Sequence, residues 1–276
     1  MTIYIYSKPD RLRLVISDLF YNSFIDLGYR TRRVFSLNKL EPSKGDVVFA
    51  IQPQSLEIKR WTGVINIAYQ MEQLPIEGIT DDRLNKNLSR LSSCRSMYDH
   101  VFDYYREHVK QNPSFIYCPL GYHECLDFID VFPRKSKWAA IFVGSVYSRR
   151  MNILRKLEQY FHVKWGAAWN ENYYRQIRMA KINLNIHPTE IPTFANLRII
   201  RAMANHTFVL SEPFNENPFH DLIDISNHKN IPNRIEHWLG REGKRKRIEN
   251  QAYKYMRSEF RNEKMLKKAL REAGVK

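Results

Sequence analysis

KINLNIHPTEIPTFANLRIIRAMANHTFVLSE, residues Lys181 to Glu212, is the stretch that decides the fold. It opens with the apolar run Ile182 to Ile186, too short and too β-branched for a helix, and so a strand. His187-Pro188 ends that strand, because proline cannot donate to a ladder and restrains the residue before it. An irregular polar loop with two prolines follows. A helix is expected from about Asn196, with Leu197, Ile199, Ile200, Met203 and Ala204 as its buried stripe. Asn205-His206 closes the helix, and Thr207 to Leu210 is another buried strand. Strand, loop, helix and strand make one unit of a parallel α/β sheet. Ligands of open α/β sheets bind beyond the carboxyl ends of strands, where the following helix also presents its N-terminus. His187, Asn196 and Arg198 fall there, although the same spacing also fits Arg198 on a solvated helix face.

The composition narrows the class of protein. A chain of 276 residues, 43% hydrophobic and 13% aromatic, can hold one large or two small domains with real cores and is not a disordered chain. No apolar run approaches the length of about 20 residues that spans a bilayer. The N-terminus, MTIYIYSKPD, reads as a strand followed by polar residues rather than as a signal peptide. Cys94, Cys118 and Cys125 lack CxxC spacing, which fits reduced thiols in a cytoplasmic protein. Lys plus Arg number 44 against 29 for Asp plus Glu, a net charge of +15. That surplus favours a polyanionic partner: nucleic acid, an acidic membrane surface or an acidic glycan. A soluble protein with a basic bias and no such partner is the alternative.

The rest of the chain alternates strands and helices. Ile3–Tyr6, Arg32–Leu37, Asp46–Ile51, Val64–Tyr69 and Phe115–Cys118 are predicted strands of the first half. The first helix follows Pro9-Asp10, with Leu12, Val15, Ile16, Leu19, Phe20, Ile25 and Leu27 as its stripe and Gly28 as its stop. Thr80 is expected to cap a second helix. No GxGxxG follows the first strand, which argues against a dinucleotide there. The division expected is residues 1–123 as one domain, 124–137 with its basic run as linker, and 138–276 as a second domain ending in basic helices.

Three further motifs can carry chemistry. FVGSVYSRRMNIL, Phe142 to Leu154, is a strand, a glycine turn and a helix entered by two arginines. Glycine lets the backbone approach a diphosphate, and arginine offers a charged fork. YQMEQLP, Tyr69 to Pro75, puts Glu72 past a strand end, where a carboxylate can deprotonate a hydroxyl or simply sit exposed on a loop. MYDHVFDYYREHV and YCPLGYH lie between Met97 and His123, with Gly121 as an expected left-handed turn residue. His100, His108 and His123 lack zinc-ligand spacing and there is no HExxH, so no metal is expected.

In this order the motifs resemble GT-B glycosyltransferases, particularly the CgeB-like and phage DNA-glucosyltransferase branches, over nearly the whole chain. KINLNIH, LRIIRAMA and TFVLSE are similar to the donor-binding half, GSVYSRR to its diphosphate turn, and the EQLP loop and PLGYH to the acceptor half. The resemblance implies an α/β fold of two Rossmann-like domains facing across a cleft. It implies donor binding by Gly144, Ser145, Arg149, Arg150, Asn185, His187, Asn196, Arg198 and Glu212, with the choice between Arg149 and Arg150 open. Glu72 would be the base, and Tyr122 and His123 would lie on the acceptor side. The co-substrate would be a nucleotide-sugar such as a UDP-sugar, with no other cofactor. The expected acceptor is a hydroxymethylated pyrimidine in double-stranded DNA. A cell-surface glycan or protein acceptor is the alternative, and a nucleic-acid-binding protein with a degenerate transferase fold is a third reading. One departure stands out: many members place an acid just before AMA, and this sequence has Arg201.

Overall fold

In the computed structural model, which describes residues 1–57, 59–189 and 196–275, the chain begins with the strand β1 (Thr2–Tyr6). Helix α1 (Arg11–Asp26) follows, its first turn closed by Asp10, whose carboxylate accepts from the Arg13 amide at 3.0 Å. It ends where Gly28 takes φ +85° and donates to Ile25 O at 2.8 Å. Its buried face is Ile16, Leu19, Phe20 and Phe24 together with Ser17 and Ser23, whereas the expected Leu12 and Ile25 are exposed. Ser23 fits the stripe because its Oγ donates to Leu19 O at 2.7 Å.

Strands β2 (Arg30–Val34), β3 (Val47–Ile51) and β4 (Ile65–Gln70) come next. VVFAI is buried throughout, as a central strand covered on both faces must be. Helix α2 (Asp82–Cys94) is capped by Asp81 rather than Thr80, its carboxylate taking the Leu84 amide at 2.8 Å. Strand β5 (His100–Asp103), helix α3 (Arg106–Gln111) and strand β6 (Phe115–Tyr117) complete a parallel sheet of order β2-β1-β3-β4-β5-β6. The strand order reverses between β1 and β3.

The second sheet contains β7 (Trp138–Val143), then α4 (Ser148–Glu158), β8 (Val163–Gly166), α5 (Asn170–Arg178) and β9 (Ala180–Asn185). After it come α6 (Asn196–Ala204), β10 (Phe208–Ser211), β11 (Asp224–Ile225), α7 (Ile231–Leu239) and α8 (Glu242–Ser258), and the chain closes with α9 (Asn262–Glu272). This sheet is also parallel, of order β11-β10-β9-β7-β8, and reverses between β7 and β9. Ile182, Leu184, Phe208, Leu210, Ile231, Ile235 and Trp238 fill one face of it. Ile199, Ile200, Met203 and Ala204 are buried as the helical spacing of α6 predicts.

The chain divides into two compact units, residues 1–125 with 261–276, and residues 126–260. This corrects the expected borders at two places. Residues 126–137 are not a free linker. Phe128 stacks on Tyr174 with centroids 4.0 Å apart, and Arg134 forks onto the buried Glu249, one bond being 2.8 Å. The tail does not belong wholly to the second half, because α9 packs with the first unit. Asn262 donates to Ser23 Oγ at 2.8 Å and accepts from Gly121 N at 2.8 Å, and its own amide reaches Tyr122 O at 2.7 Å. Gly121 is glycine for that approach and not for a left-handed turn: a Cβ there would lie 2.6 Å from Asn262 N.

Candidate active site

In the unit of residues 126–260, the strand order reverses at β7 and β9, the place where open parallel sheets form a ligand crevice. Gly144 follows β7 and His187 follows β9. The two arginines of the glycine turn serve different purposes. Arg150 is buried, donating to Ile186 O at 2.8 Å and Ser145 O at 2.9 Å, and so holds the turn onto the end of β9. Arg149 is partly exposed; it reaches His187 O at 3.0 Å and clamps Glu212 through two bonds of 3.0 and 2.5 Å. Arg198, from the first turn of α6, donates to Val143 O at 3.2 Å and Asn185 Oδ1 at 2.5 Å. Arg150 and Arg198 both lie over the Phe142 ring, 5.0 and 4.9 Å from its centroid.

Of the other residues expected on the donor side, Asn185, Glu212 and Gly144 lie in this cluster. Asn185 is locked by donating to Ser211 Oγ at 2.9 Å, and Ser211 Oγ donates on to Glu212 O at 2.7 Å. Glu212, 3% exposed, also takes the His187 amide at 2.6 Å. Gly144 leaves room for Arg198: a Cβ there would sit 2.9 Å from its Nη2. Asn196 heads α6, but the expectation for its side chain falls outside the described residues, as does the polar loop at 190–195.

Three guanidinium groups gather here and only Arg149 bonds the carboxylate of Glu212, so the described crevice carries excess positive charge. Burial, then the Arg198 charge, pushes Arg150 down to about 9, which leaves it cationic at neutral pH. Burial lowers Arg198 as well, and the nearby Arg201 adds to that. Destabilised cations of this kind gain when an anion arrives. Arg201 itself is turned elsewhere: its guanidinium is buried 3.3 Å from the Tyr173 centroid and 4.5 Å from that of Tyr174. The rings take the place of polar partners for its Nε and Nη2, which have none among the described residues.

In the first unit, Glu72 lies half-buried just past β4, beside the reversal between β1 and β3. Gln52 donates to its carboxylate, and Arg13 Nε fixes that amide by donating to Gln52 Oε1 at 2.7 Å. Gln52 holds φ +55°, a left-handed backbone uncommon for a residue with a Cβ. The Glu72 amide donates to Gln70 Oε1 at 2.8 Å, and Gln70 returns a bond to Glu72 O. The loop is anchored further by the buried His108, whose Nε2 accepts from Leu74 N at 3.0 Å while Nδ1 faces Asp103 at 3.1 Å. Gln52, Arg13 and His108 escape a reading of single motifs. Their only signals in the sequence are Gln52-Pro53 at a strand end and Asp103 five residues before His108.

Tyr122 and His123, expected on the acceptor side, are both buried. Tyr122 is 0% exposed and pairs through its backbone with the segment at Arg261–Asn262. His123 faces Asp26 at 3.1 Å through Nε2 and takes the Cys125 amide at Nδ1. Asp26, His123 and Glu124 are close enough to share a cation, but Arg261 already reaches Glu124 at 3.0 Å and Asp26 at 4.0 Å.

Residues 148–271, which include most of this cationic crevice, match the family model described as glycosyl transferase-like. This part of the chain is similar to glycosyltransferases. A search of curated proteins returns no match. The fold is similar to that of an alpha-glucosyltransferase solved with UDP and a 13-mer DNA containing an HMU base. That match has 9% identity, a TM-score of 0.66, and coverage of 99% of each chain. TarM matches at 10% identity and TM-score 0.59 over 86% of this chain. The chain spans 56% of the TarM chain's length. An alpha1,3-fucosyltransferase matches at 12% identity and TM-score 0.55, covering 100% of this chain and 90% of its own. At these identities the likeness is one of fold: two Rossmann-like parallel-sheet domains, the GT-B architecture. Among the described residues no helix is long and apolar enough to cross a membrane.

Proposed function

We propose that the protein transfers a sugar from a nucleotide-sugar to a hydroxymethylated pyrimidine in DNA. The observation that carries the transferase reading is the cationic crevice at the β7/β9 reversal, where Arg149, Arg150 and Arg198 surround the Gly144 turn. In sugar transfer the acceptor oxygen bonds to the anomeric carbon while the bond from that carbon to the diphosphate breaks. The departing electron pair leaves a diphosphate whose added charge fixed guanidinium groups stabilise. Glu72, held by Gln52, is the candidate group to take the acceptor's proton.

Two observations support DNA as the acceptor. The chain carries a net charge of +15, which suits a phosphate backbone. Its full-length fold match to an enzyme solved with HMU-containing DNA points to the same substrate class. A base inside a duplex must be flipped out to be modified, and a basic protein surface can hold the flanking phosphates meanwhile. Likeness to a lipopolysaccharide outer core galactosyltransferase, TM-score 0.52 over 99% of each chain, favours a glycan acceptor as the second reading.

Nucleoside mass spectrometry separates these. The protein is incubated with mixed nucleotide-sugars and duplexes containing hydroxymethylcytosine, hydroxymethyluracil or unmodified bases. A hexose or pentose added to the hydroxymethylated nucleoside alone is the expected result. Nucleotide-sugar binding without any DNA adduct would move the acceptor to a glycan or protein. Duplex binding with no nucleotide-sugar binding would leave a non-catalytic DNA-binding protein.

A further inference from the structure

His187 ends the strand that forms one wall of the cationic crevice, yet it adds no charge that an anion could use. Its Nε2 lies 2.9 Å from the carbonyl oxygen of Pro213. A carbonyl oxygen only accepts, so Nε2 carries the ring proton and Nδ1 presents a bare lone pair. That Nδ1 has no hydrogen-bond partner among the described residues, although His187 is only 3% exposed. An unpaired buried acceptor is costly, and the structure keeps this one beside the ligand crevice. The backbone of the same residue is tied at both ends, its amide to Glu212 at 2.6 Å and its carbonyl to Arg149 at 3.0 Å, and burial with the Pro213 bond holds the ring.

The other charges around the ring keep it an acceptor. Burial is the largest influence and lowers its pKa from 6.5; the Arg198 and Arg149 charges act in the same direction, against the Pro213 bond and the Glu212 carboxylate. His228 Nδ1 approaches Glu212 at 3.8 Å on the same side. The cationic part of the crevice is matched to phosphate oxygens, which carry no proton at neutral pH and would be repelled by a lone pair. The group that suits Nδ1 is a neutral donor, and hydroxyls are the most numerous such donors on a nucleotide-sugar.

We infer that His187 Nδ1 is a specificity subsite of the donor crevice, accepting a hydrogen bond from a hydroxyl of the nucleotide-sugar, on its ribose or on the sugar to be transferred. The inference rests on the donor reading given above and adds to it a neutral acceptor that discriminates within the ligand.

Two substitutions separate the two ring nitrogens. His187→Gln can keep a donor to Pro213 O but removes the Nδ1 acceptor. His187→Asn can keep an acceptor near the Nδ1 position but gives up the Pro213 bond. Calorimetric affinities of the full chain for inorganic pyrophosphate, UDP and UDP-glucose then report on the subsite. GDP and GDP-mannose replace the last two if a thermal-shift screen prefers guanine.

The expected result is that His187→Gln holds pyrophosphate as the unsubstituted protein does but loses about tenfold in affinity for a hydroxyl-bearing ligand, while His187→Asn recovers most of that loss. A loss already present with UDP assigns the hydroxyl to ribose; a loss confined to UDP-glucose assigns it to the sugar. An equal loss for pyrophosphate, or no loss for any ligand, would overturn the subsite. If the unsubstituted protein binds pyrophosphate but neither nucleotide nor nucleotide-sugar, the donor reading falls first, and the subsite with it.

Discussion

The two sheets each reverse their strand order once, and the side chains gathered at the two reversals differ in sign. At β7/β9 the described part of the crevice holds Arg149, Arg150 and Arg198 against a single buried carboxylate, Glu212. Near β1/β3 the corresponding region holds Glu72 in a frame of neutral amides, Gln52, Gln54 and Gln70, with Arg13 paired to Asp10 behind it. The backbone geometry that makes a crevice is the same in both. On the proposed reading one receives negative charge and the other removes a proton, and a few side chains on a repeated architecture make the difference.

The largest test of that contrast is Glu72→Gln. If the acid loop does proton transfer, turnover should fall by about 10³-fold while UDP affinity stays within about twofold, read by steady-state kinetics and calorimetry. A matched fall in UDP affinity would mean the two regions do not divide the work in this way. Arg198→Ala should do the reverse. Removing a charged donor should weaken UDP binding by about 100-fold, with the far-ultraviolet circular dichroism unchanged.

Gly144→Ala sharpens the comparison without removing a charge. Its Cβ would lie 2.9 Å from Arg198 Nη2, whose guanidinium is held by Val143 O and Asn185 Oδ1, so the group must shift. About tenfold weaker UDP binding is expected, and unchanged affinity would show that Arg198 need not be so placed. The smallest effect is on stability. His187 has its pKa lowered from 6.5, chiefly by burial, so the folded state favours the neutral ring. The stability this contributes is fully present above about pH 6.5 and is lost as pH falls through the lower folded value. Thermal unfolding at pH 7.5 and 5.5 should show a fall in Tm that is smaller in His187→Gln by a few degrees. His206, also lowered by burial, leaves part of the fall in both proteins.

Much of this architecture is legible in the chain itself. The strand runs, the α6 stripe and the glycine turn declare themselves locally, because period and punctuation follow from the geometry of each element. HVFD does not: four residues beside a run of tyrosines carry too little periodicity to mark a strand, and pairing with β4 and β6 makes it one. Leu12 and Ile25 continue the apolar count of α1, yet they face outward because the neighbouring positions are claimed by contacts with the sheet and α9.

Arg149 and Arg150 show the boundary most clearly. They are adjacent and chemically identical in sequence, and a helix turn of about 100° sends one to Glu212 and the other under the turn to Ile186 O. Tyr122 pairs through its backbone with the segment that leads into the chain's last helix, a contact no local pattern announces. By itself the sequence determined most of the strands and helices and that a basic glycine turn follows the first strand of the second half. Tertiary structure decided which arginine is exposed, which acid is framed by amides, and where the tail belongs. Those outcomes depend on contacts between residues far apart in the chain, such as Asn262 with Ser23, and local pattern has no access to them.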